Sequence, residues 1–264
     1  MNFFLRLVAV LLLIIVSAPT FSQDAGSVGP SAADSPVVVA LPSNLYGRTE
    51  GGVPAGIVAE VVDTVLTRMN RAHHCVDMRT TDAIQSLKEG KVGVIAVLNK
   101  TSGTQSAGLF TAPIITEYNV VVVRKGEKFQ MSKVEYLSER NFGIRASNPY
   151  QHPNNGFANL KRYESKGDIL RSLILGRIDA AIISSLSDIY DFRTEGIMSK
   201  VDILDRAVGT VPIHAVLSKD AFSQEDLESF NRHLAALQQE PLWNTISERN
   251  GFGDLLHKWP LVDE

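Results

Sequence analysis

Two rhythms alternate along the chain. Short β-branched runs of roughly five residues are separated by longer stretches in which apolar residues return every three or four positions. The first run, Val37–Leu41, is continuously apolar, the mark of a strand buried on both faces of a parallel sheet. Residues 57–69 place Ile57, Val58, Val61, Val62, Val65, Leu66 and Met69 on one helical stripe, with Glu60, Asp63, Thr64 and Arg68 on the opposite side. A short strand near 75–78 and a helix over 81–88 follow, with the Thr81 hydroxyl as its cap.

Residues 87–102, LKEGKVGVIAVLNKTS, then read as a helix end, a Gly stop, a basic residue, a buried strand over 92–98 and a polar tip. The same phrase returns at 173–185, LILGRIDAAIISS, with a strand over 178–183. Open α/β sheets place ligands at the carboxyl ends of their strands. The duplication therefore predicts two similar halves, each offering a polar tip to a shared cleft. Asn99, Thr101 and Ser102 are the candidates at the first tip and Ser184 at the second. The alternative is ordinary punctuation of an α/β chain, which recurs by chance.

Other segments fit this frame. The loop 42–52, PSNLYGRTEGG, leaves the end of the first strand, so Tyr46 and Asn44 are placed to face a ligand. Pro113 is excluded from a central strand, which leaves a loop before a strand over 118–123. A strand over 142–145 runs into ASNPYQHPNNG at 146–156. That loop is either an anion- or carbonyl-binding turn, with Arg145 and Asn148 at its start, or a plain solvent loop. Helices are predicted over 165–175 and 223–237, with Ser165/Asp168 and Ser223/Asp226 as cap pairs. The buried stripe of the first is Ile169, Leu170, Leu173 and Ile174. A helical piece over 187–193, strands over 201–204 and 211–217, and a last helix over 242–249 stopping at Gly251 complete the pattern. His214, alone among apolar residues, reads as a packed, hydrogen-bonded side chain rather than a base.

Composition narrows the function. The 264 residues are 44% hydrophobic and 21% charged, with a net charge of −3. That suffices for one large or two modest domains, and no Lys/Arg run suggests a nucleic-acid surface. Residues 1–22 carry Arg6 and an apolar run, LVAVLLLIIV, followed by small residues. They read as a cleaved export signal, with an uncleaved anchor as the alternative. Residues 23–36 read as a disordered leader. Cys75 is the only cysteine, so no internal disulfide is expected. The run His73-His74-Cys75 lacks metal-site spacing, and an inert thiol is expected instead. No metal or cofactor is predicted.

The collinear order of these phrases resembles the bacterial periplasmic solute-binding proteins of ABC importers, the polar amino-acid-binding type. The residues carrying the likeness are Gly56-Ile57-Val58-Ala59-Glu60, the two L-x-x-G-basic-apolar phrases, Phe110-Thr111-Ala112-Pro113 and the terminal helix near Trp243–Gly251. The resemblance implies an α/β, two-lobe fold of the type II class with two crossing hinge strands. It implies a first lobe of 37–123 plus 211–264 and an inserted lobe of 124–210. It implies a monomer in the periplasm that takes a small-molecule ligand and serves a membrane permease or sensor. Two positions depart from the family pattern. Thr104 stands where an Arg would hold the ligand carboxylate, and Ser184 stands where an Asp would hold the ammonium. A neutral or weakly polar solute, or one gripped by Arg145 or Arg48, is therefore expected. The expected ligand set is Tyr46, Asn99, Thr101, Ser102, Thr104, Arg145, Asn148 and Ser184. Two other readings compete: a degenerate fold kept as an interaction module, and a periplasmic dehydratase-like enzyme. The second lacks a His or carboxylate at the predicted strand tips.

Overall fold

The computed structural model describes residues 36–129, 138–148, 159–256 and 258–262. The expected export signal and nearly all of the leader lie outside these residues, as does most of the 146–156 loop.

The chain begins with β1 (Val37–Leu41), a small hairpin of β2 (Arg48–Glu50) and β3 (Val53–Ala55), and α1 (Ile57–Arg68). It continues through β4 (His73–Asp77), α2 (Thr80–Lys88), β5 (Val94–Asn99), β6 (Leu109–Phe110) and β7 (Ile115–Arg124). Then come β8 (Asn141–Arg145), β9 (Asn159–Tyr163), α3 (Lys166–Ile174), β10 (Ala180–Ser184) and α4 (Ser187–Thr194). The 17-residue β11 (Val201–Leu217), α5 (Gln224–Leu237) and α6 (Pro241–Arg249) close it.

Apart from the separate β2–β3 hairpin, the strands of the described residues form one sheet in the order β4-β1-β5-β11-β7-β10-β8-β9, with β6 also pairing β11. Its two ends are built alike. At one end β4, β1 and β5 run parallel, and at the other β10, β8 and β9 do. Between them β7 and β11 pair antiparallel along most of their length. Each half is thus a parallel α/β unit, and two long strands belong to both. The predicted duplication is visible at the backbone. Gly90 and Gly176 donate to Leu87 O and Leu173 O, and the basic residues after them, Lys91 and Arg177, donate to Ser86 O and Ser172 O.

The β7/β11 ladder is uneven. The β5 contacts of β11 begin at Ile213, and the β10 contacts of β7 begin at Asn119. Around Thr116↔Pro212 and Glu117↔Val211 the sheet is only these two strands wide. Register shifts flank Ala207, where Leu261 bridges to β11 and Val262 donates to the Ala207 carbonyl.

The helical stripe of α1 packs as expected, with Ile57, Val58, Val61, Val62, Val65 and Leu66 all buried. Five features differ from expectation. The hairpin β2–β3 begins inside the predicted polar loop and ends beyond it, and β9 is a strand the pattern does not predict. β11 is a single strand, because the polar run around Asp205–Gly209 marks bulges rather than a break. Thr81 lies within α2, whose N-cap is Arg79 with no side-chain cap bond. Ile174 is 47% exposed, since α3 ends there and turns its last residue outward.

The predicted caps of α3 and α5 are present. Ser165 accepts from Asp168 N–H, and Ser223 with Asp226 forms a reciprocal capping box. Ser223→Ala is expected to lower stability by about 1 kcal/mol, read as a shift of the urea midpoint at unchanged slope. His214 is buried, with Nδ1 against the Thr111 carbonyl at 2.8 Å, as a packed residue should be. Cys75 is half-buried in β4, and burial, with Asp63 and Asp77 nearby, pushes its thiol up to about 11. It is an unreactive thiol at neutral pH.

Candidate functional site

The narrow waist of the sheet opens on a cavity of about 560 Å³. Strand ends from both halves converge on it: Asn99 closing β5, Arg145 closing β8 and Ser184 closing β10. Tyr46 reaches it from the loop after β1, Glu117 and Asn119 from β7, and Ser187, Asp188 and Asp191 from the start of α4.

Tyr46 is held from three sides. The Asn44 Oδ1 accepts its backbone N–H at 2.9 Å, its own carbonyl accepts from Val58 and Ala59 at the start of α1, and its ring stacks on Phe252 at 6.1 Å. That leaves the phenol free to donate to Glu117 Oε1. The Ser184 hydroxyl donates to the same oxygen, as do the Ser187 amide at 3.4 Å and hydroxyl at 3.3 Å. Glu117 therefore links Tyr46 in one half to Ser184 and Ser187 in the other. It keeps an open face toward the cavity while its neighbours exclude bulk water elsewhere.

Burial pushes the Glu117 carboxyl above the ordinary glutamate value of 4.5, against the hydroxyl donors that pull it down. Burial also raises Asp188, in spite of the Ser184 amide at 2.8 Å and the Arg145 charge. Tyr46 is raised further, by burial and then by the charge of Glu117, so its phenol stays protonated and donates. Both carboxyls bind their protons more tightly folded than unfolded. Their contribution to stability is present at low pH and is lost as pH rises from the unfolded values through the folded ones. The wild-type protein is expected to lose stability over that rise. Glu117→Gln, which keeps an oxygen acceptor without the charge, is expected to be the more stable form at neutral pH and to show a flatter profile. Chemical denaturation across a pH series checks both.

Of the residues expected at the site, the cavity brings together Tyr46, Asn99, Arg145, Asn148 and Ser184. Thr101, Ser102 and Thr104 do not line it. Their turn closes on itself: Thr104 Oγ1 donates to the Asn99 carbonyl at 2.6 Å and accepts from Thr101 N–H at 2.9 Å. The Thr104 hydroxyl is thus used by the backbone, and Thr101 Oγ1 lies 3.0 Å from it. Arg48 pairs with Glu50 on the β2–β3 hairpin and is also outside the lining. Asp188 Oδ2 accepts the Ser184 amide, so a carboxylate four residues along stands beside the tip of β10. Glu117, Asn119, Ser187, Asp188 and Asp191 were missed. The signal for Glu117 was a lone acid in ITEYNVVVV, hidden because the strand was read as starting at 118.

Comparison with known proteins fits this architecture. Residues 39–253 match the profile of the bacterial extracellular solute-binding proteins, family 3. The chain belongs to that family. Among solved structures, this family 3 protein is similar to the unliganded, open L-cystine solute receptor of Neisseria gonorrhoeae. The two share 16% identity over 84% of this chain and 94% of that one, with a TM-score of 0.67. It is similar to an ancestral arginine-binding protein bound to glutamine (20% identity, 82% and 96% covered, TM-score 0.55). It is also similar to the periplasmic domain of BvgS from B. pertussis (17% identity, 83% of this chain and 43% of that one, TM-score 0.67). At these identities the likeness is one of fold. No curated protein matches the chain in sequence. The family 3 fold is a mixed α/β, type II binding-protein fold, as the resemblance implied.

Proposed function

We propose that the protein captures a small polar solute in the cavity between two lobes and passes that event to a membrane permease or a sensory partner. The observation that carries this reading is Glu117. One carboxylate in the waist of the sheet receives donors from Tyr46 on one side and from Ser184 and Ser187 on the other. A solute that joins this cluster touches both lobes at once, which favours the closed arrangement. The lobes are residues 37–123 with 211–264, and residues 124–210. The protein works as a monomeric binding protein in the periplasm after removal of residues 1–22, and it is not an enzyme. Permease delivery and sensing both remain in the proposal, because structures similar to this chain include an ABC transporter substrate-binding domain and a histidine kinase sensor domain.

A melting-temperature screen against small polar solutes tests it. A true ligand raises the midpoint in a concentration-dependent way. If the folded protein responds to none, the cavity is vestigial and the interaction-module reading replaces this one.

A further inference from the structure

The cavity wall contains unmet polar groups. Three buried side-chain atoms that line it have no hydrogen-bond partner among the described residues: Asp188 Oδ1, Asn119 Nδ2 and Arg145 Nε. Asp188 is 4% exposed and Asn119 1%, so neither is served by bulk water. Such groups are costly unless something pairs with them. The hydrogen bonds to Glu117 all fall on Oε1, and none from the described residues reaches Oε2.

Charge decides what would satisfy them. Among the described residues, three carboxylates line the cavity, from Glu117, Asp188 and Asp191, against the single guanidinium of Arg145. Asp191 is already paired with Lys166 at 2.5 Å. Arg145 stands 3.8 Å from Asp188 Oδ1, too far for a hydrogen bond, and no ion pair reaches Glu117 among the described residues. An incoming carboxylate would add to this excess, whereas an N–H cation would relieve it.

We infer that the solute is a small organic cation, a protonated amine or amidine, whose N–H groups are taken by Asp188 Oδ1 and Glu117 Oε2. Asn119 Nδ2 and Arg145 Nε donate to an uncharged oxygen of the solute where it has one. A carboxylate on the solute is not required. This inference rests on the solute-capture reading and names its ligand class.

Calorimetry and melting shifts with matched four-carbon probes test it: putrescine, butanediol and succinate, with agmatine and ethanolamine as further cations. The expected result is that the cations bind and the diol and diacid do not. Asp188→Asn, which retains an oxygen for the Ser184 amide, weakens the cations by about tenfold or more. Binding of succinate or butanediol without the cations overturns the cation assignment and leaves solute capture standing. So does cation binding that is equally tight in Asp188→Asn. Binding of amino acids that is undiminished in Asp188→Asn, with no response to the carboxylate-free amines, overturns it as well. Silence from every probe and from the general screen overturns both.

Discussion

Gly56→Ala is expected to remove about 3 kcal/mol or more of stability and the solute response with it. Gly56 sits at the N-cap of α1 with φ 98°, where an L side chain is strained. An added Cβ would lie 2.7 Å from both the carbonyl carbon and oxygen of Tyr46 and 2.8 Å from the Gly47 amide. These are backbone atoms, so the 44–47 loop has to move as a piece. That loop supplies the Tyr46 carbonyl to the first turn of α1 and the Tyr46 phenol to Glu117. Gly52→Ala is the comparison. Its φ of 84° carries strain, but nothing lies within 4 Å of the added atom, so about 1 kcal/mol is expected. Urea unfolding of the two variants separates the collision from the strain. A Gly56→Ala loss no larger than that of Gly52→Ala would remove the claimed coupling between helix start and cavity.

The second large effect is expected from Phe252→Ala, at about 3–5 kcal/mol. The Phe252 ring is fully buried between Tyr46 at 6.1 Å and Tyr190 of α4 at 5.8 Å. It is delivered there by the turn after α6. Gly251, at φ 76°, donates to Glu248 O, and Phe252 donates to Ser247 O, so the chain reverses into the core. A Cβ on Gly251 would meet the Tyr190 ring at 2.8 Å. Phe252 thus joins a side chain of one half to a side chain of the other through a third segment. Removing the ring leaves a void on both. Phe252→Leu keeps much of the volume and is expected to cost about 1–2 kcal/mol. Measuring both by calorimetry checks the ordering, and equal losses would mean that the site collapses around the vacancy.

The parts of the fold set by apolar periodicity could be read from the chain. The stripe of α1, the two Gly–basic–strand phrases and the Ser223 box announce themselves locally, because each depends on residues within one turn or one strand. The strands at the centre were harder. Pro113 hid the start of β7, and with it Glu117, because a proline two residues before a strand looks like a proline that forbids it. β11 carries Asp205, Arg206 and Gly209 in its middle. A polar interval inside a strand cannot be told from a loop until its bulges are seen. At the site, residues at strand ends were legible: Asn99, Arg145 and Ser184. Residues that arrive from a helix start or a mid-strand position were not. Asp188 is an ordinary first-turn acid until its carboxylate is seen folding back on the Ser184 amide. Thr104 shows the converse, since the hydroxyl of a polar tip can be occupied with its own backbone.

The two-strand waist at Thr116↔Pro212 and Glu117↔Val211 sets how the halves can move. Pro212 has no N–H to give the ladder there, and a ribbon two strands wide twists more readily than a broad sheet. Any rotation of one half against the other would fall as torsion on these few peptide units. Glu117 lies in that ribbon, so such a rotation would shift its carboxylate relative to the donors it takes from the two halves.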